Sequence, residues 1–256
     1  MIRGIYTATA GMLANQRKQD ILTHNLANLD TPGYKADKTV MKSFPDLLQM
    51  RIRDGVPTPV GRLTQGVYLQ EAIPDFKQGV IVETMQPLDI AIQDPEVAGT
   101  ILFTVMDGDG NQHYVRNGTF QIDDAGQVRT AEGDWLLDAN GQPITVGNER
   151  FRVSASGLVT SENGITQQIG LAQIDNPLDL IKEGNNRYRL EENQPPLLAN
   201  PPAVLRQGFV EKSNVDPAQT MLEMMSASRM FEANQRVIRA IDDTLKKAVS
   251  EVGVVK

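Results

Sequence analysis

Proline and glycine are spread unevenly along this chain, and that distribution limits its fold more than any other feature. Neither residue occurs between Met12 and Thr31, or between Ala218 and Val252, whereas both recur throughout the region between. A helix interior excludes proline and disfavours glycine, while turns demand both. The pattern predicts an α+β chain. Its N- and C-terminal helices pair as a coiled coil, and a central, mainly antiparallel β domain lies between them.

The C-terminal helix has the clearer signals. Asp216 suits the N-cap, Pro217 the first helical position, and Gln219 lies three residues past the cap. Alternating steps of three and four then select Met224, Ala227, Phe231, Asn234, Ile238, Ile241, Leu245, Ala248 and Val252. This is a heptad-like apolar seam, and its polar member Asn234 favours one register at some cost in stability. The alternative is an amphipathic helix packed on its own domain. Association is favoured because the seam runs nearly to the last residue and Met221, Met225 and Met230 widen the apolar surface. A lone helix of this kind is marginal without a packing partner.

The N-terminal segment, Arg3 to about Asn28, reads as helical by exclusion more than by pattern. Ile2, Ile5, Met12, Leu13, Ile21, Leu22 and Leu26 are expected to line one side, although Ala14 to Asp20 is almost wholly polar. The helix is expected to stop at Leu29–Tyr34, where Pro32 followed by Gly33 suits a type II turn.

From Lys35 to about Ile73 no period is clean, and Pro57, Pro59, Gly61 and Gly66 suggest an extended connection or irregular strands. Short β-like runs follow, among them Val80–Val82, Leu88–Ile92, Ile101–Val105, Thr119–Ile122, Trp135–Leu137, Phe151–Val153 and Ile169–Ala172. Turn signals separate them at Asp107-Gly108, Asn117-Gly118, Asn140-Gly141, Ser156-Gly157 and Asn163-Gly164, as in an antiparallel β domain. The expected organisation is a terminal helical domain of residues 1–35 with 210–256, an extended linker over 36–75, and a β-rich domain over 76–209.

Composition excludes several functions. A formal net charge of -7 argues against a binder of nucleic acid or anionic membranes. With no cysteine there is no disulfide, thiolate metal site or cysteine nucleophile. The first residues lack the continuous apolar stretch of a cleaved secretory signal, and no membrane-spanning segment is expected.

Chemistry-bearing constellations are lacking too, so no catalytic residue, metal site or cofactor is expected. The only histidines, His24 and His113, have no metal-ligand spacing, and there is no Gly-x-Ser-x-Gly elbow. Asp107-Gly108-Asp109-Gly110-Asn111 resembles the start of a calcium loop. It fails at Gln112, where the sharp-turn glycine belongs, and at Gly118, where the bidentate glutamate belongs, so a hairpin turn is expected. Asn117-Gly118-Thr119 matches a glycosylation acceptor, yet its Asn-Gly is read as a turn.

Three stretches together resemble the axial proteins of the bacterial flagellum, the rod and hook family. The N-terminal stretch is Asn25-Leu26-Ala27-Asn28-Leu29-Asp30-Thr31-Pro32-Gly33-Tyr34-Lys35. The C-terminal stretch runs from Leu205 through Gly208, Glu211, Ser213, Asn214 and Val215, and leads into Arg229–Asn234. The central one is Pro87–Ile92 followed by Tyr114–Phe120. Gln93-Asp94-Pro95-Glu96 departs from the family's glycine-rich pattern.

The resemblance implies a non-enzymatic subunit of the basal-body rod, more like the distal rod than the proximal one. It implies partners: further copies of the chain, other rod and hook proteins, and the flagellar type III export apparatus. It also implies a place in the basal body outside the cytoplasmic membrane, stacking into a torque-transmitting tube through the terminal helices. Two other classes stay open on residues alone, a secreted binding module built on the β domain and a hydrolase.

Overall fold

The computed structural model describes residues 2–45, 47–53, 56–63, 66–94, 99–147, 151–161, 164–190, 198–199 and 203–252. The chain divides into two compact units. The first comprises Met1–Ala27, Asp37–Ile73 and Asp216–Lys256, and the second Asn28–Ala36 with Pro74–Val215.

In the first unit, helix α1 spans Ile2–Ala27 and helix α2 spans Pro217–Lys247, followed by a π turn over Ala248–Val252. The start of α2 is locally determined. Asp216 takes the N-cap and its carboxylate accepts from the amides of Ala218 and Gln219 at 2.9 and 3.1 Å. Pro217 follows at the first helical position, where its missing N–H costs nothing. Lys246 and Lys247 lie in the last turn, at the negative end of the helix dipole.

The same unit contains β1 (Asp37–Ser43), β2 (Leu47–Arg53), β3 (Val56–Leu63) and β4 (Val67–Pro74). Strand β1 pairs with β4, and β2 forms an antiparallel pair with β3. Pro57 and Pro59 sit opposite Ile52 and Met50 within that pair. In a two-stranded ribbon both strands are edges, so prolines two residues apart can turn their N-less side outward without breaking the ladder. The stretch between about Lys35 and Ile73 therefore forms strands, although its sequence has no clean period. Along β1 the burial is slight, so no alternating face is imposed on the sequence there.

The second unit contains β5 (Ile81–Glu83), β6 (Ile90–Gln93), β7 (Thr100–Met106), β8 (Gln112–Val115), β9 (Phe120–Ile122), β10 (Val128–Thr130) and β11 (Trp135–Leu136). It continues with β12 (Phe151–Val153), β13 (Leu158–Ser161), β14 (Thr166–Gln168), β15 (Leu171–Ile174), β16 (Leu180–Gly184), β17 (Arg187–Leu190), β18 (Leu198–Ala199), β19 (Val204–Gln207) and β20 (Phe209–Glu211). The largest sheet runs β16-β17-β8-β7-β11-β10-β9, with β15 joined to β7 and β18. A second sheet runs β12-β13-β14, and β19 pairs with β6 as β20 pairs with β5. All these pairings whose register is described are antiparallel.

Strand β7 is buried on both faces. Ile101, Phe103 and Val105 join one core with Ile90, Ile92, Phe120, Val128, Phe151 and Leu205, while Leu102 joins another with Phe76, Tyr114, Ala172, Ile174 and Tyr188. The period-two alternation of a strand sends successive side chains to opposite cores, which explains an apolar run without polar interruption.

The β unit also contains an internal repeat. Tight turns begin at Asp107, Asp123, Thr130, Asp138, Ser154 and Ser161. In each, the fourth residue is a glycine that donates back to the first residue's carbonyl, and the first residue donates to the fifth. Those glycines have φ between 76 and 96°, the left-handed conformation of a three-residue hairpin loop closed by a bulge. The turns recur at an offset of 31 residues: Asp107 to Asp138, Asp123 to Ser154, and Thr130 to Ser161. Strand registers recur with them. Val128 faces Ile122 as Val159 faces Val153, Thr130 faces Phe120 as Ser161 faces Phe151, and Arg129 faces Trp135 as Thr160 faces Thr166. Buried Val115, Phe120 and Val128 have buried counterparts in Val146, Phe151 and Val159.

One expected turn is corrected. Asn117-Gly118 joins no hairpin, for both residues are buried where the chain passes from β8 to β9, strands that do not pair. Gly118 is needed for a different reason: a Cβ there would stand 1.8 Å from the carbonyl oxygen of Ile90. Asp107–Asn111 does turn between the paired strands β7 and β8, with Asp107 accepting from the amides of Asp109 and Asn111.

Candidate assembly site

Within the first unit, α1 and α2 run side by side in opposite directions. A Cβ on Gly4 would lie 3.1 Å from Ile241, one on Gly11 would lie 2.8 Å from Asn234, and Lys18 pairs with Glu223 at 3.2 Å. Of the seam residues, Ala227 is buried and Met224, Phe231, Asn234, Ile238, Ile241, Leu245 and Ala248 are partly covered. The side chain of Val252 lies outside the described ones. Small residues on α1 permit the close approach: Ala8 and Ala14 are buried, and Gly4 and Gly11 meet the seam. The large apolar side chains expected on that face divide, with Leu22 buried and Leu13 turned outward at 57% exposure.

Helix α2 has a second apolar face. Met221, Leu222, Met225, Met230 and Val237 are exposed, Leu222 to 63%. A groove of about 360 Å³ runs along it, lined by Leu222, Met225, Ser226, Arg229, Met230 and Ala233.

The residues of the N-terminal signature divide between the two units. Asn25, Leu26 and Ala27 end α1. The Asn25 carboxamide donates to the Asp37 carbonyl at 3.0 Å and accepts from the Asp37 amide at 2.9 Å, fastening the helix end to the start of β1. Asn28, Thr31, Pro32, Gly33 and Tyr34 lie in the second unit. Tyr34 N–H donates to the Thr31 carbonyl, and Gly33 has φ +68°, the geometry of a type II turn. A Cβ on Gly33 would come within 2.5 Å of the Asn117 amide nitrogen, so glycine is required there on two counts.

That turn delivers Lys35 to a buried cluster of charge. Lys35 Nζ donates to Glu211 Oε1 at 2.6 Å and to the Lys77 carbonyl at 2.8 Å. Glu211 Oε1 also accepts from the Gly79 amide at 2.7 Å, and Oε2 accepts from Arg116 Nε at 2.6 Å. The rest of the Arg116 guanidinium grips Asp94 through two hydrogen bonds, Nη1 to Oδ1 at 2.9 Å and Nη2 to Oδ2 at 2.7 Å, and donates to the carbonyls of Ile92 and Ile101. Lys35, Arg116 and Glu211 are exposed by 0, 2 and 3%.

Burial opposes ionisation of Glu211, yet Arg116 and Lys35 outweigh it and hold the carboxyl below its usual range. Burial, followed by repulsion from Arg116, lowers Lys35 despite Glu211. Burial works against the Arg116 charge as well, but Glu211 and Asp94 prevail and push it up. The neighbouring signature residues complete the frame. Asn214 accepts from the Ala36 amide and donates to the carbonyls of Asp75 and Lys77. Gly208, at φ +80°, donates to the Asp89 carbonyl and accepts from Thr84 and Met85, and Ser213 Oγ accepts from the Val215 amide.

Lys35 and Arg116 stood in the recognised stretches, but nothing in the sequence singled them out as partners of Glu211. Asp94 lies in the stretch that departs from the family pattern, whose Pro95 and Glu96 fall outside the described residues. The one available signal was charge placed among apolar neighbours, as in Tyr114-Val115-Arg116. His113 is likewise held by carboxylates, 3.0 Å from Asp107 and 3.1 Å from Glu183, and it keeps the Asp107 carboxyl well below the usual range. Among the described residues no group of His, Asp and Glu could hold a metal ion, and no helix is long and apolar enough to cross a membrane.

A β unit in which residues 28–36 meet the segment carrying Glu211, and a helix pair with exposed apolar surface, suit an axial structural subunit. Comparisons with known proteins agree. The family "Flagella basal body rod protein" matches residues 5–35, "Flagellar hook protein FlgE/F/G D1 domain" residues 96–167, and "Flagellar basal body rod FlgEFG protein C-terminal" residues 206–251. The chain is 38% identical to the flagellar hook-basal body complex protein FlhO of Bacillus subtilis over 99% of both chains. It is 30% identical to the basal-body rod protein FlgG of the same organism, covering 98% of this chain and 99% of that one. To the basal-body rod protein FlgF of Rhizobium meliloti it is 27% identical, over 99% of both. The chain belongs to the flagellar basal-body rod and hook family, and its place is the flagellar basal body, outside the cytoplasmic membrane. It is a structural rod subunit.

Proposed function

We propose that the chain polymerises through its terminal helices, α1 and α2 pairing as a coiled coil whose outer face packs on neighbouring copies in a tubular axle. The observation that carries this reading is the doubled apolar surface of α2. Asn234 and Ile241 of its seam meet α1, and Met221, Leu222, Met225, Met230 and Val237 remain exposed. An apolar face of that extent on a helix wants a second neighbour. Torque is then carried through helix packing, and no catalytic step is assigned to any residue. Other rod and hook proteins flank the polymer, the type III export apparatus delivers the chain, and the distal rod is its place, in keeping with the resemblance of the central stretches.

The test is deletion of Asp216–Lys256 in cells. Loss of rods and of motility is expected, whereas normal rods built from the shortened chain would overturn the reading.

A further inference from the structure

We infer that Lys35, Asp94, Arg116 and Glu211 form a latch that keeps the β unit incomplete until the segment carrying Glu211 arrives, so that this unit closes last at the junction of its two chain ends. The inference concerns the second unit alone and does not depend on how α1 and α2 assemble.

Charge balance is the first argument. Two cations and two carboxylates share one buried site, where Glu211 bridges both cations and Asp94 holds only Arg116. Without Glu211 the site would hold Lys35 and Arg116 against a single carboxylate, leaving one positive charge uncompensated. A buried charge stripped of its partner costs several kcal/mol, so the native arrangement of residues 33–35, 76–79 and 92–94 is not stable before Glu211 is in place. Lys35 and Arg116 are free to stay in water until then.

Strand pairing is the second argument. Strand β5 pairs with β20 and β6 with β19; apart from the bond from the Ile90 amide to the Gly118 carbonyl, the strand pairing of both depends on the segment from Val204 to Glu211. Both β19 and β20 belong to the segment that brings Glu211. Ile90 and Ile92 on β6 and Leu205 on β19 belong to one core, so that side of the core cannot close before the segment docks. The Gly33 amide also donates to the Glu211 carbonyl at 2.8 Å, so the backbone at the same residue fixes the N-terminal turn.

Chain separation is the third. Lys35 and Glu211 are 176 residues apart, and Arg116 and Glu211 are 95 apart. The hairpins between Asp107 and Gln168 close loops of a few residues each. Local contacts form before those that require long loops to close. The order is therefore hairpin array first and latch last. A chain delivered N-terminus first keeps its β unit open until nearly all of it has emerged.

Pulse-labelled hydrogen exchange during refolding of the full chain tests this. Amides of β7, β9, β10, β12 and β13 are expected to gain protection in an early phase, and those of Ile81–Glu83 and Ile90–Gln93 in a later one. In Glu211→Gln the early phase should be unchanged, while final protection at Ile90–Ile92 falls by about a hundredfold to several thousandfold, the equivalent of a broken buried pair. The double variant Lys35→Met with Glu211→Gln leaves Arg116 and Asp94 balanced, and should regain at least about tenfold of that loss by cancelling the surplus charge. Three results would each overturn the latch: a single phase in the native chain, early protection lost along with late protection in Glu211→Gln, or a double variant no better than the single one.

Discussion

Glu211 shows what a single side chain can decide in this protein. Its carboxylate accepts from an ammonium, a guanidinium and a backbone amide. Each of those donors comes from a different stretch of chain, so a change at this position unfastens all of them. The pH dependence follows from the sign of its shift. The folded carboxyl titrates below the unfolded one. As pH falls past the unfolded value of about 4.3, the unfolded chain takes up the proton first and stability declines. Above that value the contribution is fully present. In Glu211→Gln the acid limb of a plot of stability against pH should be shallower, with a loss of about 3–5 kcal/mol at neutral pH. Denaturant melts across the acid range would check this, and an acid limb as steep as in the native chain would count against it. Asn25 and Asn214 act on a smaller scale, each using one carboxamide to satisfy backbone groups of a neighbouring segment.

Among the elements, the two helices differ in how far sequence patterning reveals them. The start and course of helix α2 are legible because their signals are local: an aspartate N-cap, a proline at the first position, and apolar residues at steps of three and four. Helix α1 was legible in extent, from the absence of proline and glycine after Met12, but not in orientation. Large side chains are expected to mark its packed face, whereas the neighbouring helix is met at Gly4 and Gly11, and Ala8 and Ala14 are among the buried residues. Close approach selects small residues, and small residues leave no hydrophobic stripe to read. A consequence for dynamics follows. The pair leaves Met221, Leu222, Met225, Met230 and Val237 exposed and covers its seam only in part, so alone it buries little per turn and opening costs less than in the β unit. In dilute monomer, amides from Met224 to Leu245 should exchange much faster than those of β7, and should slow when copies associate. Equal protection in the two regions of the monomer would contradict this.

At the scale of the whole molecule, the chain enters and leaves its two units more than once. The sequence suggests a helical domain of residues 1–35 with 210–256, a linker over 36–75 and a β-rich domain over 76–209. The contact-defined division instead assigns residues 28–36 and 74–215 to the β unit, for Tyr34, Lys35, Val210 and Glu211 are buried and Lys35 and Glu211 are paired there. Pairing of charges 176 residues apart leaves no local mark in a sequence, which is why the cluster was invisible while the turns around it were not. The repeat is a different case. It was legible in principle, since Asp107, Gly110, Val115, Phe120, Gly126, Val128 and Gly133 each recur 31 residues later as the same residue type. Its signal is a spacing between turns rather than a similarity of whole segments.

The repeat makes its own prediction about the core. Phe120 and Phe151 occupy equivalent registers opposite Thr130 and Ser161, and both belong to one buried cluster. Their surroundings differ, however: Phe120 stacks edge-on against Phe103 at 5.3 Å between ring centres, and it lies in the larger sheet. If the two repeats are parts of one core, Phe120→Ala and Phe151→Ala should each cost about 3–5 kcal/mol, the former more because it also loses the ring contact. The two losses should fall in a single cooperative transition of the β unit, followed by denaturant melts with both far-ultraviolet dichroism and Trp135 fluorescence. Separate transitions, with Phe151→Ala unfolding only the β12–β13–β14 sheet, would show instead that the second repeat is an independent layer.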